Sequence, residues 1–277
     1  MELVWLTDIH LNFLHRGGSA IFGKYVRQEH PRADALVVSG DIGEYHNFAP
    51  LIEEFAGGFN GPVWFITGNH DSYRGSISGM KTISAECSGK ARWLQSQGMV
   101  ELSSSAVLVG HDGWYDASFG DPYGSNVVMS DFSQIKELRL AGMSAHWQNR
   151  NVNPLTPVVA ALQELGRVAA EESELLLKSA LDKGYKQVVF ATHVPPFIQA
   201  TWHLGKHSEP NWLPWMSSEQ MGVMLRKMAR NHSDVEFTVL CGHTHSSGTF
   251  QAEPNLKVLT GKSEYGHPQV SGVFHYE

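Results

Sequence analysis

Val63-Trp64-Phe65-Ile66-Thr67-Gly68-Asn69-His70-Asp71 decides how the rest of the chain is read. Four apolar residues run without interruption, then a glycine introduces three side chains able to hold a metal or move a proton. A continuous apolar run of this length reads as a strand buried on both faces, as in α/β sheets. The pattern recurs on either side. Residues 3–6 lead into Thr7-Asp8-Ile9-His10, and residues 35–38 into Ser39-Gly40-Asp41. Residues 188–191 lead into Thr192-His193, and residues 237–241 into Gly242-His243-Thr244-His245.

Helical patterns lie between several of these strands, over residues 21–29, 48–55, 158–181 and 219–229. Residues 249–251, 257–259 and 270–275 read as short strands separated by turns, which predicts an antiparallel sheet closing the fold. No internal repeat and no low-complexity linker interrupts the 277 residues, so residues 1–277 are expected to form one α/β domain. Two stretches read as lid or substrate-binding excursions. Residues 111–157 are rich in Gly, Asn, Ser and aromatics. Residues 197–216 carry Trp202, His203, His207, Trp212 and Trp215.

Hydrophobic residues make up 42% and charged residues 18%, which excludes extended disorder. The net charge of −7 argues against a surface built to hold long nucleic acid, which concentrates Lys and Arg. With only Cys87 and Cys241 there is no disulfide framework. No signal peptide or membrane-spanning run is visible, so a cytoplasmic protein without membrane partners is expected.

In open α/β sheets, ligands gather beyond the carboxyl ends of the strands. The five transitions would deliver Asp8, His10, Asp41, Asn69, His70, His193, His243 and His245 to one edge. A single Asp or His after a strand is ordinarily a cap or a hydrogen-bonded loop residue. Five strand ends all carrying metal-competent side chains are not explained that way. Imidazole and carboxylate suit Zn, Fe or Mn, and the lack of clustered Cys argues against a structural zinc site. The alternate spacing of Asp8/His10 and His243/His245 predicts, in extended backbone, that each pair points to one side.

The ordered series Asp-x-His, Gly-Asp, Gly-Asn-His-Asp, His and Gly-His-x-His resembles the signature of the calcineurin-like metallophosphoesterases. It is carried by Asp8/His10, Gly40/Asp41, residues 68–71, His193 and residues 242–245. The resemblance implies two stacked mixed β-sheets flanked by helices, a four-layer α/β/β/α fold. It implies a phosphoester hydrolase with two divalent or transition metal ions. Asp8, His10, Asp41 and His245 would hold one ion; Asp41, Asn69, His193 and His243 would hold the other, with Asp41 bridging. His70 would act on the substrate phosphate and leaving group without binding metal, supported by Asp71. The charges agree with this: two carboxylates and a bridging hydroxide leave two divalent ions a formal surplus that attracts phosphate. His70 as an imidazolium would then donate a proton to the departing oxygen.

In the protein Ser/Thr phosphatase branch, the Gly-Asp block continues into Asp-Arg-Gly and the next block ends Asn-His-Glu. Here the residues are Gly40-Asp41-Ile42-Gly43-Glu44 and Asn69-His70-Asp71. The resemblance is therefore to the compact branch acting on small molecules such as nucleotides. A nuclease is the alternative enzyme, and a non-catalytic scaffold the alternative without activity. Trp202, His203, Trp212 and Tyr115 are the candidate substrate contacts, with His111 and His207 as further histidines of the excursions. Core packing is the commoner fate of such aromatics.

Overall fold

The computed structural model describes residues 1–148 and 153–277. Its strands, in chain order, are β1 (Glu2–Leu6), β2 (Ala35–Ser39), β3 (Val63–Ile66), β4 (Ala91–Trp93), β5 (Val100–Glu101), β6 (Ala106–Gly110), β7 (Gln187–Ala191), β8 (Trp202–His203), β9 (Lys206–His207), β10 (Glu236–Cys241), β11 (Gly248–Glu253), β12 (Leu256–Thr260) and β13 (Gly272–His275). One sheet runs β13-β1-β2-β3-β4, parallel except where β13 lies antiparallel to β1. The other runs β11-β12-β10-β7-β6-β5, parallel across its centre and antiparallel at both edges.

The two-residue period of a strand assigns each face to a layer. Leu3 and Trp5 of β1 join Val37, Ile66, Leu108, Val189 and Leu240, drawn from both sheets, in the layer between them. Val4 and Leu6 face the other way, against Phe22, Val26, Ile52 and Phe55 of the helices Gly18–Glu29 and Phe48–Phe59. On the far side, Val107, Phe190 and Val239 pack under the helices Leu155–Asp182 and Glu219–Asn231 through Leu177, Met221 and Leu225. The second of these helices starts where the Ser218 side chain accepts the Met221 N–H, and it buries Met221, Met224, Leu225 and Met228 along one stripe. The layers are α/β/β/α, as the resemblance implied.

The last strands do not form a sheet of their own. β11 and β12 extend the second sheet, and β13 crosses to cover the open edge of β1 in the first, each protecting a row of backbone groups. β6 was not anticipated, although residues 106–109 are apolar and lead into Gly110-His111-Asp112, the same pattern as the other strands.

The excursions are also more structured than loops. Within 111–157, residues 111–117 are buried, and the helices Asp131–Gln134 and Lys136–Gln148 follow; positions 149–152 lie outside the described residues. Trp114, Tyr115, Leu138, Val158 and Trp215 form one buried cluster with Tyr73, so parts of both excursions pack together. The remainder of 197–216 holds the β8–β9 hairpin and the short helix Leu213–Met216.

Candidate metal centre

The ends of β1, β2 and β10 leave their sheets through left-handed backbone. Asp8 (φ 47°), His10 (φ 39°), Asp41 (φ 51°), His243 (φ 68°) and His245 (φ 58°) all occupy a region that non-glycine residues avoid. The extended alternation predicted for Asp8/His10 and His243/His245 is therefore not what aligns them; strained turns do. Each such residue costs on the order of 1–2 kcal/mol, and strain gathered at one place marks a functional site. Gly40 supplies one further sharp turn (φ 93°), while Gly68 is needed for close approach, since a Cβ there would collide with Asp41 Oδ1.

Asp8, His10, Asp41 and His245 each offer one ligand atom, all within 4.8 Å of one another. His245 Nε2 lies 3.4 Å from Asp8 Oδ1 and 3.3 Å from His10 Nε2, which is 3.8 Å from Asp41 Oδ2. The other oxygen of Asp41, Oδ1, lies 3.4 Å from His193 Nε2. His193 Nε2 and His243 Nδ1 are each 3.1 Å from Asn69 Oδ1. Asp41 thus stands between two groups, with one oxygen toward each.

The remaining ring nitrogens show what is missing. His193 Nδ1 donates to the Ser39 carbonyl at 3.0 Å and His243 Nε2 to the Trp215 carbonyl at 2.8 Å. The nitrogens facing Asn69 Oδ1 are then bare acceptors pointed at another acceptor. Lone pairs aimed at lone pairs, beside two buried carboxylates, repel unless cations lie among them, and the outer hydrogen bonds are those that orient metal-binding imidazoles. The donor set fits divalent transition ions. Burial pulls His10 down to about 2 and His243 to about 3, so both rings are neutral and ready to coordinate. Burial together with the Asp8 and Asp71 charges raises Asp41 well above the carboxylate range. His245 is raised because the hydrogen bond and charge of Asp8 outweigh its burial.

Asn69 is aimed by its neighbours. Its Nδ2 donates to Tyr73 Oη at 3.4 Å, and Tyr73 Oη donates to the buried Asp131 Oδ2 at 2.9 Å, leaving Oδ1 toward the centre. Neither Tyr73 nor Asp131 carries a sequence signal for this role. Asp71 accepts from the Ile42, Gly43 and Gly68 N–H groups at 2.8, 2.7 and 2.8 Å, so it ties two strand-end loops together. The His70 N–H donates to Asp41 Oδ1 at 2.9 Å, and its ring stacks on Tyr73 at 4.3 Å. Burial, with His193 and His245 close by, pulls His70 down to about 4. That favours the neutral ring over the imidazolium expected of a proton donor in the free site.

A cavity of ≈ 430 Å³ opens above these groups. His70, His243 and His245 lie at its base, Met129, Leu204, Trp212, Met216 and Tyr265 form apolar walls, and His203, Ser208 and Glu209 complete it. Among the described residues no Lys or Arg lines it. Two of the four candidate substrate contacts, Trp212 and His203, are here. Trp202 is not: its indole covers Gly248 and meets the His207 ring at 4.6 Å. Tyr115 is fully buried with its ring stacked on His243 at 5.8 Å, beneath the cavity. His111 is buried as well, with Nε2 2.8 Å from Glu172. Tyr265 was not anticipated; it comes from a loop without a motif and lies 4.5 Å from the His10 ring.

With this geometry belongs the family. The chain is a member of the calcineurin-like phosphoesterases, whose family model matches residues 1–247, and it is a phosphoester hydrolase. Its fold is shared with a dimetal phosphatase from Danio rerio at 15% identity, covering 100% of this chain and 93% of that one with a TM-score of 0.59. It is also shared with the phosphopantetheinyl hydrolase PptH of Mycobacterium tuberculosis at 17% identity, covering 95% and 89% with a TM-score of 0.61. At such identities the likeness is one of fold. No curated protein matches the chain by sequence. Among the described residues no helix is long and apolar enough to cross a membrane.

Proposed function

We propose that the chain hydrolyses phosphate esters of small molecules that carry an aromatic or apolar group, nucleotides among them. The observation behind this reading is the cavity itself: apolar and aromatic walls stand over the converged acceptors, with Asp41 and Glu209 as its carboxylates and no cationic side chain among its described lining residues. A single phosphate would be neutralised from below, and an organic group received by Trp212, Leu204 and Tyr265. A nuclease needs Lys and Arg along successive phosphates, and the described lining of this cavity offers none.

Asp8, His10, Asp41 and His245 would hold one divalent ion, and Asp41, Asn69, His193 and His243 the second; Mn, Fe and Zn suit these ligands. Bound there, the ions would supply an activated water and positive charge for an in-line attack. The protein's part is orientation. Ser39 and Trp215 fix the tautomers of His193 and His243, and Tyr73 fixes Asn69. His70, at the cavity base, offers its ring to the phosphate or leaving oxygen. Cys87 and Cys241 are both free thiols, which suits the reducing cytoplasm where we place the protein.

Turnover by the Mn-loaded protein across monoesters, diesters, cyclic nucleotides and single-stranded DNA tests the reading. Small aromatic or nucleoside esters should be cleaved most efficiently. Preferred cleavage of DNA would overturn it.

A further inference from the structure

A second cavity, of ≈ 520 Å³, opens between residues 74–76 and 133–139 and shares no lining residue with the one above the metal ligands. Arg74, Lys136 and Arg139 converge on it, with Ser76, Ser133 and Tyr45 adding polar groups. Among the described residues no carboxylate lines it. In a chain with 28 acidic residues against 21 Lys and Arg, this is a local reversal of sign.

Of the two nearby acids, one is engaged elsewhere and the other pairs with Arg74. Glu137, between Lys136 and Arg139 in sequence, turns to the start of the helix Ile77–Glu86. There it accepts from the Ile77 and Ser78 N–H groups at 3.0 and 3.1 Å and from the Ser78 hydroxyl at 3.1 Å. Glu44 meets Arg74 Nη1 at 3.1 Å. Among the described residues, Lys136 and Arg139 have no acidic partner.

The frame that presents the cations is fixed. Arg74 N–H donates to the Gln134 carbonyl and Lys136 N–H to the Gly75 carbonyl, both at 3.0 Å, and Gly75 and Ile135 form a parallel bridge. Arg74 is held left-handed at φ 63°, which L residues avoid. The Tyr45 ring closes the floor against Gly75, where a Cβ would collide with it. Like charges held together on such a frame repel, and an oxyanion relieves them. Guanidinium forks, an ammonium and hydroxyls are the donors that suit a tetrahedral oxyanion.

We propose that this cavity is a second anion site that takes the phosphate group of a phosphorylated small molecule. Its volume leaves room for an organic portion beside the phosphate. His70 and Arg74 are four residues apart, so their Cα atoms are separated by at most roughly 14 Å. Tyr73, next to Arg74, stacks on His70. Two sources of the ligand share this chemistry: a second phosphate on the substrate, or a separate phosphorylated molecule.

Calorimetric titration of inorganic phosphate into chelator-treated protein at low salt isolates this cavity from the metal centre. Wild type should bind phosphate, and Lys136→Glu/Arg139→Glu should weaken binding ~10-fold or more, with Lys136→Gln/Arg139→Gln in between. Both variants change exposed side chains, and an unchanged melting midpoint and p-nitrophenyl phosphate turnover will show the fold and the metal centre intact. No binding by wild type, or equal affinity in an intact charge-reversed variant, overturns the proposal. The source is then read from metal-loaded kinetics. A substrate phosphate at this site predicts a KM about 10-fold higher for a bisphosphorylated ester in the charge-reversed variant, with the monophosphate unchanged. A separate molecule predicts both KM values unchanged while phosphate binding is lost. That result leaves the reading of the metal-centre cavity untouched.

Discussion

Tyr73→Phe removes one oxygen and tests how the second group of ligands is held. The ring remains to stack on His70, but Asn69 Nδ2 loses its acceptor and the buried Asp131 loses its donor. A hydrogen bond to a charged group contributes about 1.5–3 kcal/mol, part of which here constrains the Asn69 amide. Freed, that amide can rotate and turn its NH₂ toward His193 and His243, whose acceptors lie 3.1 Å from its oxygen. Loss of an orienting partner typically weakens metal binding ~10- to 100-fold, equivalent to about 1.4–2.7 kcal/mol. The loss should fall on one of two metal equivalents, because the Asn69 side chain is hydrogen-bonded to Tyr73 and faces His193 and His243, not Asp8, His10 or His245. Calorimetric titration of metal-free protein with Mn, beside elemental analysis, separates the two. Unchanged affinity at both equivalents, with the variant folded, would refute the orienting role of Tyr73; equal weakening of both would refute the division into two groups.

Asp41→Asn should impair both ions together, because each of its oxygens faces a different group; loss of one equivalent alone would remove the bridging role. His70→Ala should keep the metals while lowering turnover ~10²–10⁴-fold, less so for p-nitrophenyl esters whose leaving group needs no proton. If metals are lost as readily as in His243→Ala, His70 is a ligand. Metal uptake should release protons and weaken as pH falls, because Asp41 and His245, both raised, bind protons that the ions must displace. His10 and His243, at about 2 and 3, add nothing to that competition near neutrality. Proton counts from titrations in buffers of different ionisation enthalpy check this, and a pH-independent affinity would contradict it. Trp212→Ala should lower the specificity constant for a nucleotide roughly 5- to 150-fold relative to a small chromogenic ester, with metal content unchanged. Trp202→Ala, packed on Gly248 away from the cavity, should leave that ratio alone.

The residues of the centre were legible because strand and ligand are adjacent in sequence. A buried strand announces itself by an unbroken apolar run, and the ligands follow within about four residues of its carboxyl end, so β1, β2, β3, β7 and β10 brought Asp8, His10, Asp41, Asn69, His193, His243 and His245 with them. The helices that cover the sheets were legible for the same local reason, as apolar stripes of helical period. What stayed hidden depends on partners far apart in the chain. β13 pairs with β1 across the whole sequence, and a short strand carries no mark of which sheet it will join. Asn69 is aimed through Tyr73 by Asp131, 58 residues beyond Tyr73, and no local pattern encodes that link. Trp202 and Trp212 of the second excursion look alike in sequence, yet Trp212 lines the cavity and Trp202 covers Gly248. The left-handed turns that align the ligands were hidden too, because Asp and His adopt that backbone only where surrounding contacts compel it. Sequence determined which side chains arrive at the strand ends, since that is a matter of neighbours along the chain. Only the tertiary structure decided how they are turned, what orients them and what walls stand above them, since those are set by packing between distant segments.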